Sequence, residues 1–367
     1  MKALVVFGTR PEAIKMCPLV LTLKADPAIE VKVCVTGQHR EMLDQVLAIF
    51  DIEPDFDLNI MKPGQTLEGI TTAVMEKIGA VIDDVAPDIV LVHGDTTTSM
   101  AAALGSFYRK VPVGHVEAGL RTYDRYSPFP EEMNRKLISA LATYHFAPTQ
   151  TNLDALAAEG VTEHVYITGN TVIDAFQYTT RDGYRFTNAD LARHDFSKPT
   201  VLMTAHRREN LGKPLENICD AVLELCAAHP DTSFVYPVHL NPAVRETVFG
   251  RLEGHPQITL TDPVDVEDMH NAMSRSIMVM TDSGGLQEEA PHLGKPVAVL
   301  RTETERPEAV AAGTAVVAGV EKDEVFDTVH RILADAETYR AMANAANPYG
   351  DGHASERIRD ILKANFS

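Results

Sequence analysis

Three stretches within the first 135 residues gather acids and glycines in a pattern suited to proton chemistry. Val92-His-Gly-Asp-Thr-Thr-Thr98 is followed by Gly114-His-Val-Glu-Ala-Gly-Leu-Arg121, then by Pro130-Glu-Glu-Met-Asn-Arg135. The first two follow short β-branched runs, Asp88-Ile-Val-Leu-Val92 and Val111-Pro-Val113. Polar residues just past the carboxyl ends of parallel strands sit at the crevice where ligands bind. Asp95 and Glu117 are therefore expected to project toward one site from neighbouring strands. Carboxylates in such a crevice are candidates for proton transfer, and Glu131 is the third of the set. Plain alternatives stand beside these roles. Asp95 could cap the helix that begins at Thr96, and Glu131 and Glu132 could simply favour a helix start after Pro130. Glu117 is harder to set aside, because a Glu at a buried strand end needs a partner. Arg121, Arg125 and Arg135 could pair with these acids.

A second kind of chemistry is anion binding. Gly8-Thr-Arg-Pro-Glu12 ends the first apolar run, and Pro11 suits the first turn of a helix. The turn is expected to present free backbone N–H groups and Arg10 to a phosphate. Lys15 lies about one and a half helical turns further on and need not share that face. No G-x-G-x-x-G occurs here, so a dinucleotide fingerprint is absent. Thr281-Asp-Ser-Gly-Gly285 offers a second anion-binding turn: Gly284 and Gly285 allow close backbone approach, Ser283 adds a hydroxyl, and Glu288 or Glu289 could accept hydrogen bonds from a ribose diol. Its plain alternative is an ordinary helix cap. His206, in Thr204-Ala-His-Arg-Arg-Glu-Asn210, sits just past a strand beside Arg207 and Arg208, and His239 is a weaker candidate of the same kind. No residues show convincing metal-ligand spacing, so neither metal nor cofactor is expected.

Positioning these side chains falls to an alternation of strands and helices. Strands are expected near 2–7, 31–36, 88–93, 111–116, 144–147 and 164–168, and again near 200–205, 233–237, 257–260, 277–281, 296–300 and 314–318. Helical spacing fills segments such as 66–86, 132–142, 214–229, 242–253 and 321–335. Continuous apolar strands alternating with helices mean parallel sheets covered on both faces. The fold class is α/β, with two doubly wound, Rossmann-like domains facing each other. Their junction should fall in the poorly patterned region between Thr168 and Pro199. We draw it as 1–170 and 171–353, with a terminal helix of about 354–367 packing back on the first domain. The length of 367 residues suits two domains. The net charge of −19 argues against nucleic acid or an anionic membrane as partner, but not against a small anion met by local cations. No secretory signal or membrane-spanning run is apparent, and four cysteines without metal or redox spacing suggest a reduced, cytoplasmic protein.

Taken together, these motifs resemble the non-hydrolysing UDP-N-acetylglucosamine 2-epimerases. The likeness also covers Phe7-Gly-Thr-Arg-Pro-Glu-Ala-Ile-Lys15, Gln38-His-Arg-Glu-Met-Leu-Asp-Gln45, Ile167-Thr-Gly-Asn-Thr-Val-Ile-Asp174, Tyr236-Pro-Val-His239, Glu305-Arg-Pro-Glu308 and Asn347-Pro-Tyr-Gly-Asp351. It implies a glycosyltransferase-B type fold with a nucleotide sugar in the central cleft. It also implies reversible conversion of UDP-GlcNAc to UDP-ManNAc through loss and re-addition of UDP, with 2-acetamidoglucal as intermediate, supplying ManNAc for surface polysaccharide. Asp95, Glu117, Glu131 and His206 match catalytic positions, and the three carboxylates could exchange the C2 proton if burial or like charges raise their pKa. Arg10, Lys15, Arg135, Ser283, Gly284, Gly285, Glu289 and Arg306 match substrate-binding positions. Gln38, Arg207 and His239 match a second, activating nucleotide-sugar site, where Glu41 and Gly64 depart from the family pattern. Met269 stands where some members place an aromatic near uracil. The family is commonly homodimeric. A retaining glycosyltransferase, a hydrolysing epimerase and a nucleotide-sugar sensor remain alternative readings of the same residues.

Overall fold

The structure, a computed structural model, describes residues 1–37, 40–62 and 64–366. The chain divides into two units, Met1–Tyr178 with Tyr349–Ser367, and Thr179–Pro348.

The first unit is built on β1 (Lys2–Phe7), β2 (Glu30–Val35), β3 (Phe56–Asp57), β4 (Ile89–His93), β5 (Val113–Val116), β6 (Tyr144–Ala147) and β7 (Val165–Ile167). They form one parallel sheet in the order β3-β2-β1-β4-β5-β6-β7. Side chains alternate faces along a strand. Val5 and Phe7 accordingly pack with Met16, Leu19 and Leu23 of the helix Arg10–Lys24, while Leu4 and Val6 pack with Val74 and Ile78 of the helix Leu67–Val85. Each face thus has its own core, which is why the strands read as unbroken apolar runs. The order reverses between β1 and β4, the switch point where doubly wound sheets bind ligands.

The terminal helix Ala354–Phe366 belongs to this unit. The Asp174 carboxylate accepts from the Ala354 and Ser355 N–H groups at 3.2 and 2.7 Å, and Ile358 and Leu362 enter the core beside Met16. The first unit also extends beyond residue 170, where the sequence reading divided the chain, as far as Tyr178. Asn170 caps the short helix Thr171–Asp174, whose Val172 and Ile173 are buried, and Ala175 joins the first core. The residues just after 170 are thereby held by apolar packing and a cap.

The second unit contains β8 (Thr200–Thr204), β9 (Ser233–Pro237), β10 (Ile258–Thr261), β11 (Met278–Thr281), β12 (Val297–Val299) and β13 (Ala315–Val317). Its parallel order is β10-β9-β8-β11-β12-β13, with the reversal between β8 and β11. Cys219 and Cys226 lie in its core with Val201, Met203, Phe234 and Met280. All four cysteines are buried and free. Among the described residues, no helix is long and apolar enough to cross a membrane.

Candidate active site

Glu117 directly follows β5 and adopts a left-handed backbone, φ 62°. In the register, His93 of β4 pairs with Val116, which sets Gly94 opposite Glu117. Gly94 is itself left-handed at φ 62°, and a side chain there would meet Glu117 Oε1 at 3.7 Å. Glycine therefore serves both the turn and the space around the carboxylate. Glu117 Oε2 is ion-paired to Lys15, accepts a hydrogen bond from Asn170 Nδ2 at 2.9 Å and lies 3.6 Å from His93 Nε2. Burial pushes its carboxyl pKa up, but the charge of Lys15 and then His93 outweigh that and hold it well below the usual value. The condition of a raised pKa is therefore not met at Glu117. Lys15 is likewise committed to an acid of this unit, a pairing that its spacing from Arg10 did not reveal. Beside it, fully buried His115 makes a 2.7 Å hydrogen bond through Nε2 to the Gly94 carbonyl, and burial pushes its imidazole down to about 3.

Asp95 does not cap the following helix. Thr96 does, its hydroxyl accepting from Ser99 N at 3.1 Å. The Asp95 carboxylate instead takes Arg135 Nε and Nη2 on one oxygen, at 2.9 and 2.5 Å. Arg135 comes from the helix Glu131–Leu141, whose Asn134 also donates to the Asp95 carbonyl at 2.9 Å. This helix therefore aligns Asp95 and carries Glu131 at its first position. Glu131 Oε2 is buried with no hydrogen-bond partner among the described residues. A carboxylate oxygen in that state is costly unless something binds it. Its neighbour Glu132 is structural: its oxygens accept from the backbone of Thr122 and Tyr123 at 3.0 and 3.2 Å. Arg121 pairs with Glu159, and Arg125 lies over the Tyr126 ring, so neither is spent on the three acids.

The first turn differs from its expected form. Gly8 and Thr9 N–H groups are not free: both donate to Glu12 Oε2, at 2.9 and 2.8 Å. Glu12 completes a capping box with Thr9, and its other oxygen accepts from the Thr96 and Ser99 hydroxyls at 2.6 and 2.8 Å. This buried acid ties the turn after β1 to the turn after β4. Arg10 remains half-buried at the first helical position, so any anion there would meet its guanidinium rather than those two amides.

In the second unit, His206 follows β8, and Asp282 follows β11. Asp282 is wholly buried, and its Oδ2 accepts from His206 N and Arg207 N, each at 2.7 Å, and from Asn210 Nδ2 at 3.0 Å. The His206 ring stacks on His239, centroids 5.2 Å apart and 7° from parallel. A side chain on Gly284 would stand 3.5 Å from Arg306 Nη2 and 3.8 Å from Arg207 Nη2, so two guanidinium groups converge above this turn. Ser283 makes no side-chain capping bond. Glu288 is buried and bonded to Arg306, while Glu289 Oε1 reaches within 3.4 Å of a side-chain position on Gly285. Glu289 Oε2 is 3.5 Å from His270 Nε2. Met269 is half-buried on the helix Val266–Arg275. Gln38 lies outside the described residues, while Arg207 and His239 both adjoin His206.

Sequence reasoning passed over Glu12, His93, Asn170 and Asp282. Two carried a readable signal. Thr9-x-x-Glu12 has capping-box spacing, and Asp282 follows its strand as an acid, much as Asp95 does. The pairings of His93 and Asn170 with Glu117 are long-range.

Two switch points, one in each parallel sheet and each flanked by cations and acids, describe a protein of the glycosyltransferase-B type. At 15% identity the chain superposes on the glycosyltransferase SnogD from Streptomyces nogalater with a TM-score of 0.60, covering 99% of this chain and 95% of that one, which speaks for the fold alone. Closer relatives define the family. The UDP-N-acetylglucosamine 2-epimerase profile matches residues 21–363. The UDP-N-acetylglucosamine 2-epimerase of Escherichia coli (strain K12) is 52% identical over 376 residues, covering 100% of this chain and 99% of the relative. The crystal structure of UDP-GlcNAc 2-epimerase from Neisseria meningitidis bound to UDP-GlcNAc is 49% identical with a TM-score of 0.89, covering 100% of both chains. The chain belongs to the UDP-N-acetylglucosamine 2-epimerase family, an isomerase family.

Proposed function

We propose that this protein interconverts UDP-GlcNAc and UDP-ManNAc by inverting C2 of the sugar. The observation that carries the reading is the acid set at one sheet edge. Glu117 is ionised against Lys15, Glu131 has a buried oxygen without a partner among the described residues, and Asp95 is matched by Arg135. The C2 proton is weakly acidic, so one group must remove it and another must return it on the opposite face. As it leaves, the C2–H electron pair forms the C1=C2 double bond of 2-acetamidoglucal. The C1–O bond breaks, and its pair leaves on the β-phosphoryl oxygen of UDP. Re-addition reverses these steps with the proton delivered to the other face. Charge developing on UDP calls for fixed cations, and His206, Arg207 and Arg306 around Gly284 answer that need, with Glu289 free of Arg306 to meet the ribose. In this reading the enzyme is a cytoplasmic homodimer supplying ManNAc for surface polysaccharide. Phe107 and Tyr108, 56% and 64% exposed, are apolar surface that a second copy would cover.

The test is a proton NMR time course of UDP-GlcNAc with the protein in heavy water. Deuterium is expected at C2 of both epimers. Retained proton at C2 would overturn the reading: a transferase or a sensor leaves that carbon untouched, and a hydrolysing epimerase reveals itself by accumulating free ManNAc and UDP. Arg10→Ala is expected to weaken UDP binding about tenfold by calorimetry, the scale of one charge-assisted hydrogen bond. Unchanged affinity would place the diphosphate away from the first turn.

A further inference from the structure

We propose that Asp282 is the positioning residue of His206, holding it so that Nδ1–H points to Asp282 Oδ1 and Nε2 is left for the diphosphate. The proposal rests on the reading that His206 serves departing UDP.

Asp282 spends its two oxygens unequally. All three donors, His206 N, Arg207 N and Asn210 Nδ2, converge on Oδ2. Oδ1 is buried with no hydrogen-bond partner among the described residues, and the group facing it is His206 Nδ1, 3.6 Å away. Leaving a buried carboxylate oxygen bare is costly, and a shift of under ~1 Å by the imidazole makes a normal hydrogen bond. Asp282 stands one step and His206 two steps beyond a paired position: Thr204 and Thr281 are in register, and their hydroxyls bond at 2.7 Å. Stacking on His239 limits the ring to small in-plane movements. The acid therefore fixes the His206 backbone through Oδ2 and selects its tautomer through Oδ1.

The charged groups facing His206 are Asp282, His239, Arg207 and Glu209. Burial lowers the imidazole pKa most, Asp282 and Glu209 raise it, and His239 and Arg207 lower it. The resting ring is thus neutral near pH 7, with its proton on Nδ1. A bound diphosphate adds negative charge at Nε2 and draws one proton from solvent. The resulting imidazolium donates from Nδ1 to Asp282 and from Nε2 to the β-phosphoryl oxygen. When the C1–O bond breaks, its electron pair collects on that oxygen, while the proton stays on nitrogen. No bond changes other than those of the elimination.

Asp282→Asn isolates the effect. The amide oxygen can replace Oδ2 and keep all three donors, while the NH2 replaces Oδ1 and presents a donor to Nδ1. Calorimetry of UDP binding in buffers of differing ionisation enthalpy should show net proton uptake by the wild type and none by Asp282→Asn, with kcat on the order of 100-fold lower, the scale of one lost donor to developing charge. Equal proton uptake in both, or unchanged kcat, would reduce Asp282 to a structural cap and overturn the proposal. Should the variant fail to fold, long-range 1H–15N spectra of the wild type decide, with His206→Gln identifying the signal. The proposal expects Nδ1–H alone without ligand and both nitrogens protonated with UDP. An Nε2–H tautomer, or a neutral ring in the complex, would refute it. The proton-uptake and 1H–15N readouts need no turnover, so absent C2 exchange would fell the epimerase reading without touching them.

Discussion

Glu117→Gln is expected to lower kcat for epimerisation by ~1,000-fold, within the range for a positioned proton-transfer group, while leaving UDP affinity within about twofold. The amide is nearly isosteric and can adopt the same left-handed backbone, so the turn after β5 and the Asn170 cap should survive. What disappears is the lone pair that takes a proton. In the wild type, Lys15 and His93 keep that carboxylate ionised despite burial. Because the folded pKa lies below the unfolded one, the stabilisation it brings is present above pH ~4.5 and lost only as pH falls through the lower folded value. An acid limb in the wild-type rate profile above pH ~4.5 must then come from another group. Single-turnover NMR gives the rate, and calorimetry the affinity. Normal turnover in Glu117→Gln would remove Glu117 from the mechanism.

Much of this site follows from strand ends, which sequence displays well. Ile89–His93 is buried along its whole length, so the apolar run announces a central parallel strand, and the acid two residues later falls at the sheet edge. β3 escaped notice because two residues, Phe56–Asp57, carry no period. Partners across the sheet were the harder part. Lys15 and Glu117 are 102 residues apart, and Asn170 and Glu117 are 53 apart. No local spacing announces either pair. The direction of the Glu117 shift was not legible for that reason: burial is foreseeable from position, but the ammonium that reverses its effect is not. The bond between Glu288 and Arg306, 18 residues onward, likewise has no local signal.

Glu12→Ala is expected to destabilise the protein by about 4 kcal/mol in urea unfolding, because buried donors left without acceptors cost about 1–3 kcal/mol each. Glu12 is 2% exposed and serves Gly8 N, Thr9 N, and the hydroxyls of Thr9, Thr96 and Ser99. The hydroxyls can re-pair, since Thr96 already meets Thr98 at 2.8 Å and Ser99 at 3.0 Å. The two backbone amides have no such freedom. Glu12→Gln separates hydrogen bonding from charge. An amide can turn its oxygen toward the Gly8 and Thr9 N–H groups, which only donate, and its NH2 toward Thr96 and Ser99, whose hydroxyls can also accept. Its cost should be about 1 kcal/mol. Equal losses from the two variants would mean that the negative charge, rather than the bonding pattern, joins these turns. If the bonding pattern governs, folded Glu12→Ala should also turn over more slowly at temperatures well below its melting point, because the turns that carry Arg10 and Asp95 lose their common tie.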